Sequence, residues 1–349
     1  VSVVQPSDEN NGVGKITVTA QNGAAAVYTF TYKKLDYVPA SASIMPIKNG
    51  FKSIVTIVHD DGDIGGTMPY LSKEMERNNL KTTVALIGSR VLNEDGSIKT
   101  SEVGKWQKYF DTGRFNLANH SWHHTYWGQS DEAETGTTSD GKSFNLPENF
   151  MMQEITTSGE KLREAFPNER VLAFVKPGFT FPTGKPQVSE YATEKMKESY
   201  ICMRNTGGVS PNTIPPANWF NMASLMVNAN DDYTDKNNHT ASYWIDEVDR
   251  TIANNGWLVF LFHNICPDGQ EGGLTVAQSR ATMLFEALGD RAANGDVWCA
   301  YLDEAAMYVK EAQTAKAVAK DYTDSEGKIT ITVADGVSML DGNGKEIYN

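Results

Sequence analysis

At 349 residues with 40% hydrophobic side chains, the chain is long enough for one large α/β domain with smaller attachments, and has ample material for a buried core. Its longest apolar runs, WLVFLF and SIVTIV, are strand-sized, which excludes a helix of the roughly 20 apolar residues that span a bilayer. A net charge of -13 excludes broad-surface binding of nucleic acid or another polyanion, and favours neutral or cationic substrates.

Residues 1–45 read as β structure and linker. KITVTA and VYTFTY alternate apolar or aromatic residues with threonines around the turn signal QNG, and YVPASASIMP follows as a connector. Two strands cannot stand alone, so this segment resembles the last hairpin of an immunoglobulin-like module. Residues 46–312 alternate apolar strand candidates with amphipathic stretches. The strands are SIVTIV (53–58), TTVALI (82–87), FNLAN (115–119), VLAFV (171–175), YICM (200–203), SLMV (224–227), WLVFLF (257–262) and VWCAYL (297–302). Helices are expected in MPYLSKEMERNN, MMQEITTSGEKLREAF, ASYWIDEVDRTIANNG and VAQSRATMLFEALGDRAANG. Seven or eight such units predict a parallel α/β barrel, with a doubly wound open sheet as the alternative. Residues 313–349 return to β patterning in KITITV, a second β-rich flank. Three cysteines, Cys202, Cys266 and Cys299, are an odd number and imply no disulfide framework. The residues from Val1 onward show no charged-then-apolar leader, so export cannot be read from them directly.

Three of the six histidines fall within NHSWHH, residues 119–124. His120 and His124 stand four apart, which on one helical turn places both imidazoles on one face, as a shared metal requires. The pair also fits a solvated helix face or a hydrogen-bonded core pair, and a metal would need an anionic ligand from elsewhere. HDDGD, residues 59–63, could be an ordinary turn. It is not a calcium loop of the EF-hand type, because the twelfth position counted from Asp60 is Leu71 instead of glutamate. Position changes the odds. Asp60 and Asp61, His120, Lys176, Asp231 and Asp232, and His263 each follow a predicted strand, and a parallel barrel opens all those strand ends on its catalytic face.

These segments together resemble the polysaccharide deacetylase family, the NodB homology domain or carbohydrate esterase family 4, over about residues 50–312. VHDDG (58–62), HSWHH (120–124) and LFH (261–263) stand for its first, second and fifth motifs, while KPGF (176–179) and DDY (231–233) are looser matches to the third and fourth. The resemblance implies a distorted (β/α) barrel of seven or eight units and a divalent ion, zinc by default, with cobalt, nickel or manganese as substitutes, on Asp61, His120 and His124. It implies Asp60 as general base and His263 as general acid. Lys176 stands where the family has a base-orienting arginine, and Asp232 where it has the aspartate that tunes the acid. His123 is then a bystander, or a rival to His124 as ligand. Trp122, Phe179 and Leu261 are expected to contact substrate, with Trp127, Phe181 and Trp219 as further stacking candidates. The activity implied is removal of N- or O-acetyl groups from a carbohydrate or polysaccharide, by a protein outside the cytoplasm, whether periplasmic, on the cell surface or secreted. The rivals are a non-catalytic sugar-binding member of the fold and a hydrolase of another small amide.

Overall fold

The computed structural model describes residues 1–5, 13–31, 44–124, 135–137, 143–145, 152–178, 186–207, 211–228, 240–319, 329–333, 339–340 and 346–348. The chain divides into two compact units, Val1–Ser43 with Lys316–Thr332, and Ile44–Ala315 with Val333–Asn349. In the first unit β1 (Ser2–Val4), β2 (Val13–Thr19) and β3 (Ala25–Thr31) form an antiparallel sheet. The β2–β3 hairpin pairs Val13 with Thr31 through to Thr19 with Ala25, and Gly23 supplies a left-handed turn residue at φ 85°.

The second unit is built on parallel strands. Its elements in chain order are β4 (Ser53–His59), α1 (Thr67–Arg77), β5 (Thr82–Leu86), α2 (Thr100–Phe110), β6 (Phe115–Asn119), the short antiparallel pair β7 (Thr135–Thr137) and β8 (Ser143–Asn145), a π-helical turn at Met152–Thr157 and α3 (Ser158–Ala165). There follow β9 (Ala173–Val175), α4 (Pro186–Ser199), β10 (Cys202–Arg204), β11 (Leu225–Val227), α5 (Ala241–Ala253), β12 (Trp257–Phe262), β13 (Asn264–Cys266), β14 (Thr275–Ala277), α6 (Gln278–Ala293), β15 (Val297–Cys299) and α7 (Leu302–Thr314). The sequence pattern anticipated α1, α3, α5 and α6. It did not mark α2, α4 or α7.

The main sheet runs β10-β9-β6-β5-β4-β12-β11. Its two ends approach through residues 219–222, where Met203 N–H donates to the Trp219 carbonyl at 2.7 Å and Asn205 N–H to the Met222 carbonyl at 2.8 Å. The sheet thus curls into a distorted barrel, as the alternating pattern predicts, and is not an open sheet. The distortion has a local cause. β5 pairs only with the carboxyl half of β4, from Ile57, while β15 pairs with the amino half of the same strand, from Ser53 to Val55.

Alternation along each strand builds two cores. Inward-facing Ile54, Val58, Ala85, Ala118, Ala173, Val175 and Val259 pack together and against Leu302, Ala305 and Val309 of α7. Outward-facing Val55, Ile57, Val84, Leu117 and Phe260 pack against the helices, notably Met68, Leu71 and Met75 of α1 and Leu284, Phe285 and Leu288 of α6. The three inner alanines leave little bulk inside, so the barrel can stay narrow at its distorted side. No helix among the described residues is long and apolar enough to cross a membrane.

Candidate active site

Strand register sets the first row of the site. β12 pairs with β4 so that Phe262 lies opposite His59, and Asp60 N–H donates to the Phe262 carbonyl at 2.7 Å. The next residues, Asp60 and His263, therefore leave the sheet side by side at its carboxyl edge. One step below, Leu261 lies opposite Val58, and both are fully buried. They form an apolar floor under the two polar groups.

The chain then turns sharply. Asp61 sits at φ 69° and Gly62 at φ 70°. A Cβ at Gly62 would come within 2.8 Å of Leu86 and 3.0 Å of Trp106, so this turn requires glycine. Asp63 completes it by accepting from the backbone N–H groups of Gly65, Gly66 and Thr67 at 3.3, 3.2 and 2.9 Å, which caps α1. Burial pushes the Asp63 carboxyl up, but those N–H groups outweigh it and its pKa is lowered.

His120 follows β6 directly, and its Nδ1 is 2.7 Å from the Val175 carbonyl. With Nδ1 as donor there, Nε2 is left bare and turned to the site, as an imidazole ligand is oriented by the hydrogen bond at its other nitrogen. Residues 121–124 are not helical, contrary to the helical face that the spacing predicts. Ser121 at φ 64° and His124 at φ 55° fold the chain back instead, with His124 N–H donating to Ser121 Oγ at 3.0 Å. The two imidazoles meet at a ring-centroid distance of 4.8 Å.

His120 Nε2 and His124 Nε2 lie 3.3 and 3.1 Å from the same oxygen, Asp61 Oδ1. One donor atom from each of these three residues falls within 4.8 Å of the others, and together they could hold a metal ion. Two observations fit that use. Asp61 Oδ1 and His120 Nε2 are buried polar atoms without a hydrogen-bond partner among the described residues. Burial alone would raise the Asp61 carboxyl, yet His120 and His124 hold it well below the usual carboxylate range, so it is an anion as a ligand must be. A carboxylate and two imidazoles are a donor set for zinc or a neighbouring divalent ion.

Asp60 is 2% exposed and is held from the opposite wall. Arg204 ends β10, is fully buried, and places Nη2 at 2.6 and 2.5 Å from the two carboxylate oxygens of Asp60. Sequence reasoning missed this residue and expected the base's cation at Lys176. Lys176 N–H instead donates to the Arg204 carbonyl at 3.0 Å, one strand over, and its side chain is 1% exposed. Burial, reinforced by the neighbouring Arg204 charge, lowers its pKa to about 8.

His263 also has its pKa lowered by burial, an effect that Asp60 and Asp61 partly offset. Its Nδ1 is buried with no partner among the described residues. His123 is not in the ligand group. It is bonded to Glu154 and Glu94, which outweigh the effect of burial and raise its pKa. Trp122 is 2% exposed and packs in the helix-side core with its indole away from solvent, whereas Trp219 stacks edge-on against Trp257 at 6.2 Å. Asp231, Asp232, Phe179, Phe181, Trp127 and His239 lie outside the described residues.

Residues 48–198 match the family model for polysaccharide deacetylase. That segment, a little under half of the chain, is similar to the polysaccharide deacetylase family. Among solved structures, a provisionally assigned polysaccharide deacetylase from Mycobacterium smegmatis is similar at 14% identity and TM-score 0.48, covering 78% of this chain and 95% of that one. A family 4 acetyl xylan esterase from Clostridium thermocellum, in complex with a cobalt ion, aligns at 15% identity and TM-score 0.41, over 72% and 90% of the two chains. A CE4 family pseudoenzyme from Bacillus anthracis aligns at 13% identity and TM-score 0.42, over 84% and 83%. No curated protein matches the sequence. The matched span carries Asp60, Asp61, His120 and His124, whereas Arg204 and His263 lie beyond it.

Proposed function

We propose that the barrel is a metal-dependent hydrolase that removes acetyl groups from a carbohydrate, and that Asp61, His120 and His124 hold the ion. The observation that carries the reading is the convergence of those three side chains beside an Arg204-held Asp60, at the edge of the barrel where all the parallel strands end. A divalent ion there, zinc by default, supplies Lewis acidity that polarises the acetyl carbonyl and acidifies the attacking water.

The chain's own residues do the proton work. Asp60 accepts the proton of the attacking water, and its link to Arg204 fixes the carboxylate in direction. His263, beside Asp60 in the same row, gives a proton to the departing amine or alcohol. Val58 and Leu261 below them exclude water from the floor. Lys176 supports the Arg204 side of the site, and the family resemblance gives Asp232, outside the described residues, the role of tuning His263. The substrate is an acetylated glycan outside the cytoplasm, an assignment that rests on the family resemblance.

Release of acetate from a panel of N- and O-acetylated glycans, measured with metal content, tests the reading. Expulsion of an amide nitrogen needs a proton more than expulsion of a phenoxide does. His263→Ala should therefore lower turnover of an N-acetyl sugar by roughly 10²- to 10⁴-fold, spare an aryl acetate, and leave metal content intact. Equal losses on both substrates would remove His263 from the acid role. Saturable glycan binding without acetate release would make the domain a sugar-binding one.

A further inference from the structure

His123 is left over when the ligand set is assigned, yet it is only 7% exposed. Its Nδ1 lies 2.5 Å from Glu154 Oε1 and its Nε2 lies 3.1 Å from Glu94 Oε2. Glu154 is fully buried, and its second oxygen accepts from the backbone N–H groups of Trp122 and His123, both at 3.0 Å. A buried carboxylate is costly to place, and this one is matched by donors from one short stretch of chain, the stretch between the two histidine ligands.

The element that delivers Glu154 also grips the other flank of His120. Glu154 belongs to the π-helical turn Met152–Thr157, a geometry that is rare and concentrated at functional sites. The Ile155 carbonyl of the same turn accepts from Asn119 Nδ2 at 3.2 Å and from the Tyr200 hydroxyl at 2.5 Å, while Ser158 Oγ donates to Asn119 Oδ1 at 2.8 Å. Gly159 allows this approach, because a Cβ there would lie 2.2 Å from the Tyr200 hydroxyl. One turn thus holds Asn119 on one side and Trp122 and His123 on the other. Between and beside them are Ser121 and His124, in left-handed conformations that cost non-glycine residues about 1–2 kcal/mol each and persist only where the surroundings impose them.

We infer that Glu154 is the positioning residue of the metal centre: its carboxylate, bonded to His123 and to the 122–123 backbone, holds the 120–124 turn in the conformation that brings His120 and His124 together on Asp61. The inference rests on the metal reading above and goes beyond it in giving His123 and the π turn a role. Without the carboxylate, two backbone N–H groups and an imidazole lose their acceptor, the turn relaxes, and the work of ordering it falls on metal binding.

The test is zinc titration of the metal-free protein by calorimetry, with visible absorption of the cobalt-loaded form to report ligand geometry. Glu154→Gln keeps the side-chain shape and should weaken zinc binding about 10- to 100-fold and alter the cobalt spectrum, with the circular dichroism of the folded protein unchanged. If that variant does not fold, His123→Leu leaves Glu154 on the backbone N–H groups and should show a smaller loss of the same kind. Glu247→Gln, a buried glutamate on α5 bonded to Arg250, is the control and should bind zinc as the wild type does. Wild-type affinity and spectrum in a folded Glu154 or His123 variant overturn this inference alone. Failure of the wild-type protein to bind any divalent ion overturns it together with the metal reading.

Discussion

The two edges of the barrel treat charge in opposite ways. At the carboxyl edge Asp60, His120, His124, Lys176 and Arg204 are all less than 10% exposed. At the amino edge Lys52 pairs with Asp296 at 2.7 Å, and Lys81 and Lys48 both pair with Glu304 at 2.8 and 3.6 Å, with side chains between 22% and 62% exposed. Charges left in water contribute little and cost little, whereas charges taken out of water must be matched closely or they destabilise the fold. The carboxyl edge gathers a dense group of buried ionisable side chains, whereas the amino edge buries Asp303, whose carboxyl is pushed up to about 6 by burial, and the parallel strands deliver left-handed residues and orphaned polar atoms to the carboxyl edge. That asymmetry separates a working surface from a merely soluble one.

Three substitutions sharpen the contrast. The largest effect is expected at Arg204. Arg204→Met leaves Asp60 buried without its partner and should destabilise the metal-free protein by about 3–5 kcal/mol in urea unfolding. A loss under about 1 kcal/mol would mean that the ion pair is not the main support of that carboxylate.

His59 comes next. It is fully buried on the outer side of β4, neither ring nitrogen has a partner among the described residues, and burial lowers its pKa from 6.5 to about 4. Between those values the unfolded chain binds a proton that the folded protein refuses, so stability falls as pH drops through that window. His59→Phe should remove this dependence and gain up to about 3 kcal/mol at pH 4 relative to neutral pH, read from unfolding curves at several pH values. Parallel pH profiles for the two proteins would show that His59 is charged or solvated in the folded state.

The smallest effect belongs to the amino edge. Lys81→Ala should cost less than about 1 kcal/mol and leave turnover unchanged, because its ion pair with Glu304 is partly hydrated and distant from the carboxyl edge. A larger loss, or any change in turnover, would break the comparison.

Much of this was legible in the sequence because strand-end placement is a strong signal. SIVTIV, FNLAN and WLVFLF are apolar enough to be read as strands, and each delivers a polar residue at its end: Asp60, His120 and His263. The same rule applied to YICM would have selected Arg204. KPGF competes with it, because Lys176 offers a cation at the place where the motif order expects one. The conformation of HSWHH was not legible. A four-residue spacing suits a helix, but the left-handed Ser121 and His124 are imposed from outside by Glu154, which lies 30 residues from His124 and in a segment that reads as ordinary amphipathic helix. The wedge of β15 against β4 was likewise invisible, because it depends on register between strands far apart in the chain. Local pattern reveals which residues leave a strand, whereas contacts between distant segments decide how they are aimed.

Whether Asp61, His120 and His124 form the proposed metal site is decided by an anomalous difference map from a zinc- or cobalt-loaded crystal. One strong peak is expected about 2.0–2.2 Å from an Asp61 oxygen and from Nε2 of both His120 and His124, with His123 still bonded to Glu154. A peak on His123 in place of His124, or no peak among these residues, would contradict it.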